Sequence, residues 1–295
     1  MLSERPILVT GAGGMLGAAL RRRLAAPDVP QRPILWTDVA QFDITDPAAV
    51  ADFIVPRRPA VIINLAAVTD VDGCETCRDL AFRVNAEAVG YLAAAANAAG
   101  SLLVQMSTDF IFAGDARRPY REEDPPGPLG VYAASKLAGE EAAREARDHL
   151  IVRAAWLYGP RGKNFVRAIC ERADSGAPLR VVGDQIGCPT YTGHLAEAMV
   201  LLLRAEARGT VHAVGGQAVS WLQFARAIVD LWRPGTVVEE ITSLELARPA
   251  RRPAYSALDC SRLHTLTGYR LPGLGEALPK YLAELRREMQ EERVP

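Results

Sequence analysis

A cluster of glycines directly behind the first apolar run constrains this chain more than any other feature. Pro6–Thr10 reads as a short strand, and Gly11-Ala12-Gly13-Gly14-Met15-Leu16-Gly17 follows it and opens a helical pattern over Met15–Leu24. Glycines at such a junction permit a tight turn and let backbone N–H groups approach an anion at the positive end of the helix dipole. A glycine-rich turn is a weak signal alone. Here strand, turn and helix occur in the order that pyrophosphate binding demands, and Asp38 closes a second predicted strand, Ile34–Thr37. A carboxylate at that position can accept hydrogen bonds from ribose hydroxyls.

The first half of the chain continues in the same alternation. Strands are predicted at Val61–Leu65, Leu102–Ser107 and His149–Arg153, and helices at Pro47–Val55, Arg78–Ala99 and Val131–Glu145. The strands lack polar alternation, as expected where helices cover both faces of a parallel sheet. Asp46 before Pro47 marks a helix start, and Gly100 a helix stop. The fold class implied is α/β, a Rossmann-type doubly wound parallel sheet. Beyond Arg153 the order loosens into helices near Asn164–Ser175, His194–Ala205, from Trp221 behind a Ser220 cap, and from Leu274 to about Glu292, with strands at Leu179–Val182 and Thr210–Ala213. This reads as a smaller C-terminal α/β lobe. Residues 1–153 are therefore expected to bind a dinucleotide and residues 154–295 mainly a substrate, with the chain free to cross back. The Pro-, Gly- and charge-rich stretch from Ala113 to Gly130 is expected to be a surface loop, and the Arg286–Arg293 charge run a solvated helix end.

Thirty-four Lys plus Arg against 35 Asp plus Glu leave a net charge of −1, so no global field favours nucleic acid or an anionic membrane. No apolar run approaches membrane-spanning length, and the first strand begins too early for a signal peptide, which implies a cytoplasmic protein. Five thinly spread cysteines argue against a disulfide framework. Cys74 and Cys77 form a CxxC without a second pair, so they are read as incidental thiols, and no metal site is expected.

Tyr132-Ala133-Ala134-Ser135-Lys136 forms a YxxxK on a predicted helix, and Ser107-Thr108 ends the strand before it. Residues four apart share a helix face, separated by a rise of about 6 Å. Lys136 can therefore stand beside Tyr132 and is expected to lower its pKa from about 10, since a neighbouring ammonium favours the phenolate. Alone, such a pair is as easily an ordinary exposed helix face.

The spacing Gly11, Gly14, Gly17 resembles the extended short-chain dehydrogenase/reductase family. The resemblance to dTDP-4-dehydrorhamnose reductases runs over nearly the whole chain: Leu35-Trp36-Thr37-Asp38, Phe42-Asp43-Ile44-Thr45, Asn64-Leu65-Ala66-Ala67, Ser107-Thr108-Asp109-Phe110-Ile111-Phe112, Tyr132 to Glu140, Asp184-Gln185-Ile186-Gly187-Cys188-Pro189-Thr190, and Arg252-Pro253 with Ser256. It implies that Gly11, Gly14, Met15, Leu16 and Gly17 cradle the phosphates of NADH or NADPH, that Asp38 holds a ribose, and that Asp43 and Ile44 flank the adenine. It further implies that Ala66, Ala67 and Val68 line the nicotinamide side and that Thr108, Tyr132 and Lys136 are catalytic, with Tyr132 and Lys136 also touching the cofactor. Thr108, Asp109 and Trp156 would face the sugar, and Arg252, with Lys163 as a weaker candidate, would meet its diphosphate. Asn85 would orient the lysine or bond backbone.

The implied activity is reduction of the C4 keto group of a dTDP-linked 6-deoxy-4-ketohexose, in the first place dTDP-4-dehydro-L-rhamnose to dTDP-L-rhamnose, by a homodimer. Three departures from the family pattern bear on the sugar: Asp70 adds a carboxylate in Thr69-Asp70-Val71-Asp72, Val68 stands where His or Tyr is common, and Ile186 replaces a tyrosine. Two alternatives stay open: a 4-ketoreductase for another nucleotide-linked hexose, and a non-catalytic regulator resembling the methionine adenosyltransferase β subunit.

Overall fold

The computed structural model describes residues 5–291. Five strands, β1 (Ile7–Thr10), β2 (Ile34–Thr37), β3 (Val61–Asn64), β4 (Leu102–Thr108) and β5 (His149–Ala154), join the edge strand Gly209–His212 in one parallel sheet. Its order is Gly209–His212, β5, β4, β3, β1, β2. β1 pairs with β2 on one side and β3 on the other, matching Thr10 to Thr37 and to Asn64. The chain thus reverses its direction of travel across the sheet at β1. Connections leaving β1 and β3 part to opposite faces there and open a crevice at the strands' carboxyl ends, the place where doubly wound sheets bind ligands.

Alternate residues of each strand feed two apolar layers. Ile7, Val9 and Ile63 pack against helix α1 (Met15–Leu24) and the helix Thr192–Arg204 through Leu16, Leu20, Leu195 and Met199. Leu8, Ile62 and Ile151 pack on the other side against α2 (Pro47–Arg57) and α5 (Ala88–Ala99), through Val50, Ile54, Val89 and Leu92. Covering both faces is what the unbroken apolar strands require. The cap signals operate as expected: the Asp46 carboxylate accepts from Ala48 N and Ala49 N, Gly100 ends α5 in the left-handed conformation at φ 62°, and Ser220 forms a capping box with Gln223.

The helix expected over Arg78–Ala99 is divided into α4 (Arg78–Phe82), a π-helical turn Arg83–Glu87 and α5. A short α3 (Val71–Thr76) precedes it, and α6 (Val131–Ala143) carries the YxxxK sequence. A second core joins the helices Phe165–Ser175, Trp221–Trp232 and Leu274–Glu291 through Tyr158, Ile169, Phe224, Ile228 and Tyr281. Strand Leu179–Val182 pairs there with Val238–Ile241, which the sequence reading missed. The strand predicted at Thr210–Ala213 lies one residue earlier and extends the main sheet past β5, so the chain does cross back. Positions 292 and 293 of the predicted last helix and charge run lie outside the described residues. Among the described residues, no helix is long and apolar enough to cross a membrane.

Candidate active site

A cleft of about 520 Å³ lies over the carboxyl ends of β1, β2 and β3. Gly11, Gly14, Met15, Leu16 and Gly17 form one wall, Asp38, Asp43 and Ile44 one end, Ala66 and Ala67 the facing wall, and Tyr132 and Lys136 the other end. Gly11 has φ +63°, and a Cβ placed on it would stand 2.6 Å from Ala66 N; a Cβ on Gly17 would stand 2.3 Å from Ala12 O. Both positions thus exclude a side chain where the turn meets β3 and where α1 folds back on the turn. Gly14 caps α1 without a side-chain hydrogen bond, and the first turn carries no acidic residue, so its orphan N–H groups keep their positive potential toward the cleft.

Asp38 closes that end through Oδ2, which accepts from Gly13 N at 2.8 Å, while its own N–H donates to Gln41 Oε1 at 2.7 Å. The Asp43 carboxylate accepts from both the N–H and the hydroxyl of Thr45 at 2.8 Å, which holds its pKa below the usual carboxylate range. Arg21 to Arg23 are committed elsewhere: Arg21 lies over the Trp36 ring, Arg22 pairs with Glu284, and Arg23 pairs with Glu197 and Asp28. A glycine cradle at a helix N-terminus, a carboxylate beside that turn, and a far end carrying Tyr132 and Lys136 suit a nicotinamide dinucleotide.

The inner end of the cleft is built on α6. Its first N–H, on Val131, donates to Glu75 Oε1 of α3 at 2.9 Å. Ser135 Oγ donates to Tyr132 O and accepts from Asn85 Nδ2, and the same Asn85 side chain donates to Val68 O and accepts from Val68 N. Asn85 therefore clamps the segment after β3 onto the helix bearing Tyr132 and Lys136, from a π-helical turn that lets its side chain reach both. Val68 sits behind the cleft wall, held through its backbone. The Tyr132 hydroxyl meets the hydroxyl of Thr108, which itself bonds Asp109 Oδ1 at 3.1 Å and accepts from Phe110 N at 3.2 Å. Thr108, Tyr132 and Lys136 are thus brought together.

The electrostatics differ from the expectation. Lys136 Nζ donates to Met106 O at 2.7 Å, and burial holds its pKa down to about 8, against a pull upward from Glu140. Burial raises the Tyr132 phenol instead of an ammonium lowering it, with Thr108 opposing the rise. The ammonium is directed to a β4 carbonyl and not to the phenol, where desolvation dominates.

The residues expected to face the sugar nucleotide are dispersed. Asp109 is 2% exposed and accepts from Ser256 Oγ as well as Thr108, and burial pushes its carboxyl up to about 7. Trp156, at φ +47°, stacks on Trp221 at 3.5 Å and 4°. Arg252 forms a two-pronged ion pair with Asp72 at 2.9 and 3.0 Å, and Arg248 and Ala250 N bind the same carboxylate. Ala250 and Pro253, flanking that segment, border the same narrow gap as Phe110 and Tyr132. Lys163 is exposed, next to Gly162, whose Cβ position lies 3.6 Å from Met15 Cγ, so its loop borders the phosphate turn. Cys74 and Cys77 are free thiols, one buried and one exposed.

The sequence matches the RmlD substrate binding domain family over residues 5–287. The chain belongs to this family of dTDP-4-dehydrorhamnose reductases. It is 38% identical to the dTDP-4-dehydrorhamnose reductase of Sinorhizobium fredii over 92% of this chain and 94% of that one. It is 39% identical, over 94% and 95%, to a Streptomyces antibioticus protein named a probable dTDP-4,6-dihydroxy-2-methyloxan-3-one 4-ketoreductase. A crystal structure of the Bacillus anthracis dTDP-4-dehydrorhamnose reductase in complex with NADP superposes with a TM-score of 0.91 at 34% identity, covering 96% of this chain and all of that one.

Within this family frame, the contacts that sequence reading missed are those between distant segments. Ser256 belonged to a matching string, but its bond to Asp109 spans 147 positions. The Asp72–Arg252 pair spans 180. Only the Asp72 and Arg252 residue types hinted at the second.

Proposed function

We propose that this chain uses NADH or NADPH to reduce the C4 keto group of a dTDP-linked 6-deoxy-4-ketohexose, in the first place dTDP-4-dehydro-L-rhamnose to dTDP-L-rhamnose. The observation that carries the reading is that Tyr132 and Lys136 line the inner end of a cleft whose outer end is a glycine cradle, with Thr108 beside the phenol. Bound there, a reduced nicotinamide supplies hydride. Tyr132, kept in its acid form by burial, delivers a proton to the developing alkoxide. The Thr108 hydroxyl donates a hydrogen bond to the same oxygen, which requires it to turn from Asp109. Lys136 holds ribose hydroxyls, and the Gly14 to Leu16 turn holds phosphate. In the same reading residues 1–153 serve the cofactor and 154–295 mainly the sugar nucleotide, in a cytoplasmic homodimer with no nucleic-acid partner. Supplying dTDP-4-dehydrorhamnose with each cofactor and identifying the product by mass and stereochemistry tests it; no cofactor oxidation would sink it. A second reading, a different dTDP-ketohexose, is favoured by the Streptomyces antibioticus relative and by Val68 and Ile186. A panel of such sugars in the same assay decides between them.

Cofactor choice follows from Asp38. Its carboxylate lines the cleft beside Gly13 and would repel a ribose 2′-phosphate, and the Arg21 to Arg23 run is paired elsewhere. NADH is therefore expected to serve at least as well as NADPH, and Asp38→Ala to shift the ratio of kcat/KM values toward NADPH by about tenfold. Strong NADPH preference, unchanged in the variant, would show that Asp38 does not hold the ribose.

Arg252 is placed to meet the sugar nucleotide only by sharing its guanidinium between Asp72 and the incoming diphosphate. A charge-assisted bond of about 2 kcal/mol corresponds to roughly 30-fold in affinity. Arg252→Ala is expected to raise KM for the sugar nucleotide by at least ~10-fold with the cofactor Kd unchanged. An unchanged KM would leave Arg252 as a clasp for Asp72 alone.

A further inference from the structure

Beneath Lys136 lies a closed set of charges that the proposed chemistry does not use. Glu140 stands one helical turn beyond Lys136 on α6, so both side chains share the face turned into the protein. Glu140 is fully buried, and its carboxylate is gripped by Arg153 of β5 through Nε–Oε1 and Nη2–Oε2 contacts of 2.8 Å each. Arg144, at the end of α6 and 40% exposed, adds a third contact to Oε2 at 3.0 Å. The Arg153 Nη1 group is directed to Glu122 O and His212 Nε2. An arginine can only donate, so His212 Nε2 accepts, and its Nδ1 carries the proton toward Asp259 O. Burial holds His212 neutral, with a pKa pushed down to about 3. Of the two buried cations, Arg153 contacts this carboxylate directly, whereas Lys136 lies one helical turn from it and sends its Nζ to Met106 O.

We propose that Glu140 is the counter-charge that keeps Lys136 protonated in this dry interior, with Arg153 fixing the carboxylate and Arg144 attenuating it. Glu140 is then a positioning residue, acting through Lys136 and touching neither cofactor nor sugar. This rests on the reading of Lys136 as the residue that must stay charged to hold ribose.

The other groups packed on α6 cannot do the same. On α3, Asp72 is bound by Arg248 and Arg252, Glu75 caps Val131, and burial keeps the Cys74 thiol protonated. Arg78, Asp79, Arg83 and Glu87, on α4 and the π-helical turn, are exposed and screened by water. Asp109 is bound by Ser256 and Thr108 beside a neutral Tyr132, at the opposite end of the helix face from Glu140. On β5, Arg153 opposes protonation of the lysine.

The sequence makes a direct measurement practicable, because it contains three lysines, Lys136, Lys163 and Lys280. In protein labelled with ¹³C at lysine Cε, titrated without cofactor or sugar, the Lys136 resonance is expected to change at about pH 8. Glu140→Gln should move that transition about one pH unit to the acid side, and Arg144→Met about half a unit to the alkaline side. Fluorescence titration of NADH should show the alkaline loss of binding moving with it. Removing the carboxylate strips Arg153 of its partner, so Glu140→Gln is first checked for folding by circular dichroism. If it does not fold, Arg144→Met, altered at a half-exposed position, carries the test. A Lys136 transition that stays in place in Arg144→Met, or in folded Glu140→Gln, overturns the proposal. Because that readout involves no turnover, it is separate from failure of the ketoreductase assay, which would sink only the proposed function.

Discussion

Tyr132→Phe should lower turnover by at least ~10²-fold while leaving cofactor binding and folding nearly intact, because no other group in the cleft is placed to deliver a proton as the alkoxide develops. The ring would keep its edge-on contact with Phe110, whose centroid lies 6.2 Å away at 84°. The lost hydroxyl leaves Thr108 with Asp109 and Phe110 N as partners, so no buried donor is orphaned and the stability change should stay within about 1 kcal/mol. Because burial raises the phenol, its ionisation does not enter the neutral pH range, and the wild-type rate should show no alkaline limb from Tyr132 there. Steady-state assays beside NADH fluorescence titration separate the chemical step from binding. A variant with near-normal turnover would remove Tyr132 as proton donor, whatever the fold.

The glycine turn, the parallel sheet and the Tyr132–Lys136 helix were legible in the sequence because each is local. A strand followed by glycines and a helix announces itself within about 20 residues, and a four-residue spacing defines a helix face. Met15–Leu24 and Ile34–Thr37 were read with the bounds the structure shows. The π-helical turn at Arg83–Glu87 was not legible, since a single inserted residue leaves the Ala-rich helical pattern intact, yet it is what lets Asn85 reach Val68 and Ser135. The two-residue strands Leu157–Tyr158 and Thr190–Tyr191 are too short to show a period.

The electrostatic misreading has a related cause. A YxxxK spacing places Lys136 near Tyr132 but does not say which acceptor the ammonium selects. That acceptor, Met106 O, lies on a strand 30 residues earlier. Likewise Glu140 was visible as part of a family string, but its partner Arg153 and the neutral His212 come from neighbouring strands of the sheet. Charges are legible in sequence, whereas the partners that decide their pKa values are set by the tertiary fold.

Gly11→Ala should abolish measurable dinucleotide binding, an expected loss of at least ~10²-fold in affinity, and lower stability by about 2–4 kcal/mol. Two costs add at this position. The left-handed φ of +63° disfavours any side chain, and the new methyl would sit 2.6 Å from Ala66 N and 2.8 Å from Ala66 Cα, both rigid backbone atoms at the end of β3. The turn must then move away from β3 or flip its conformation, and either change displaces the N–H groups of Gly14 to Leu16 that face the cleft. Gly14→Ala offers the control: its φ of −73° is ordinary, and the nearest atom to an added Cβ is 3.5 Å away, so folding should be nearly unaffected. Thermal unfolding and NADH titration of both variants check the argument. Equal stability and equal affinity in the two would mean that the close approach of the turn to β3 does not hold the cradle in shape.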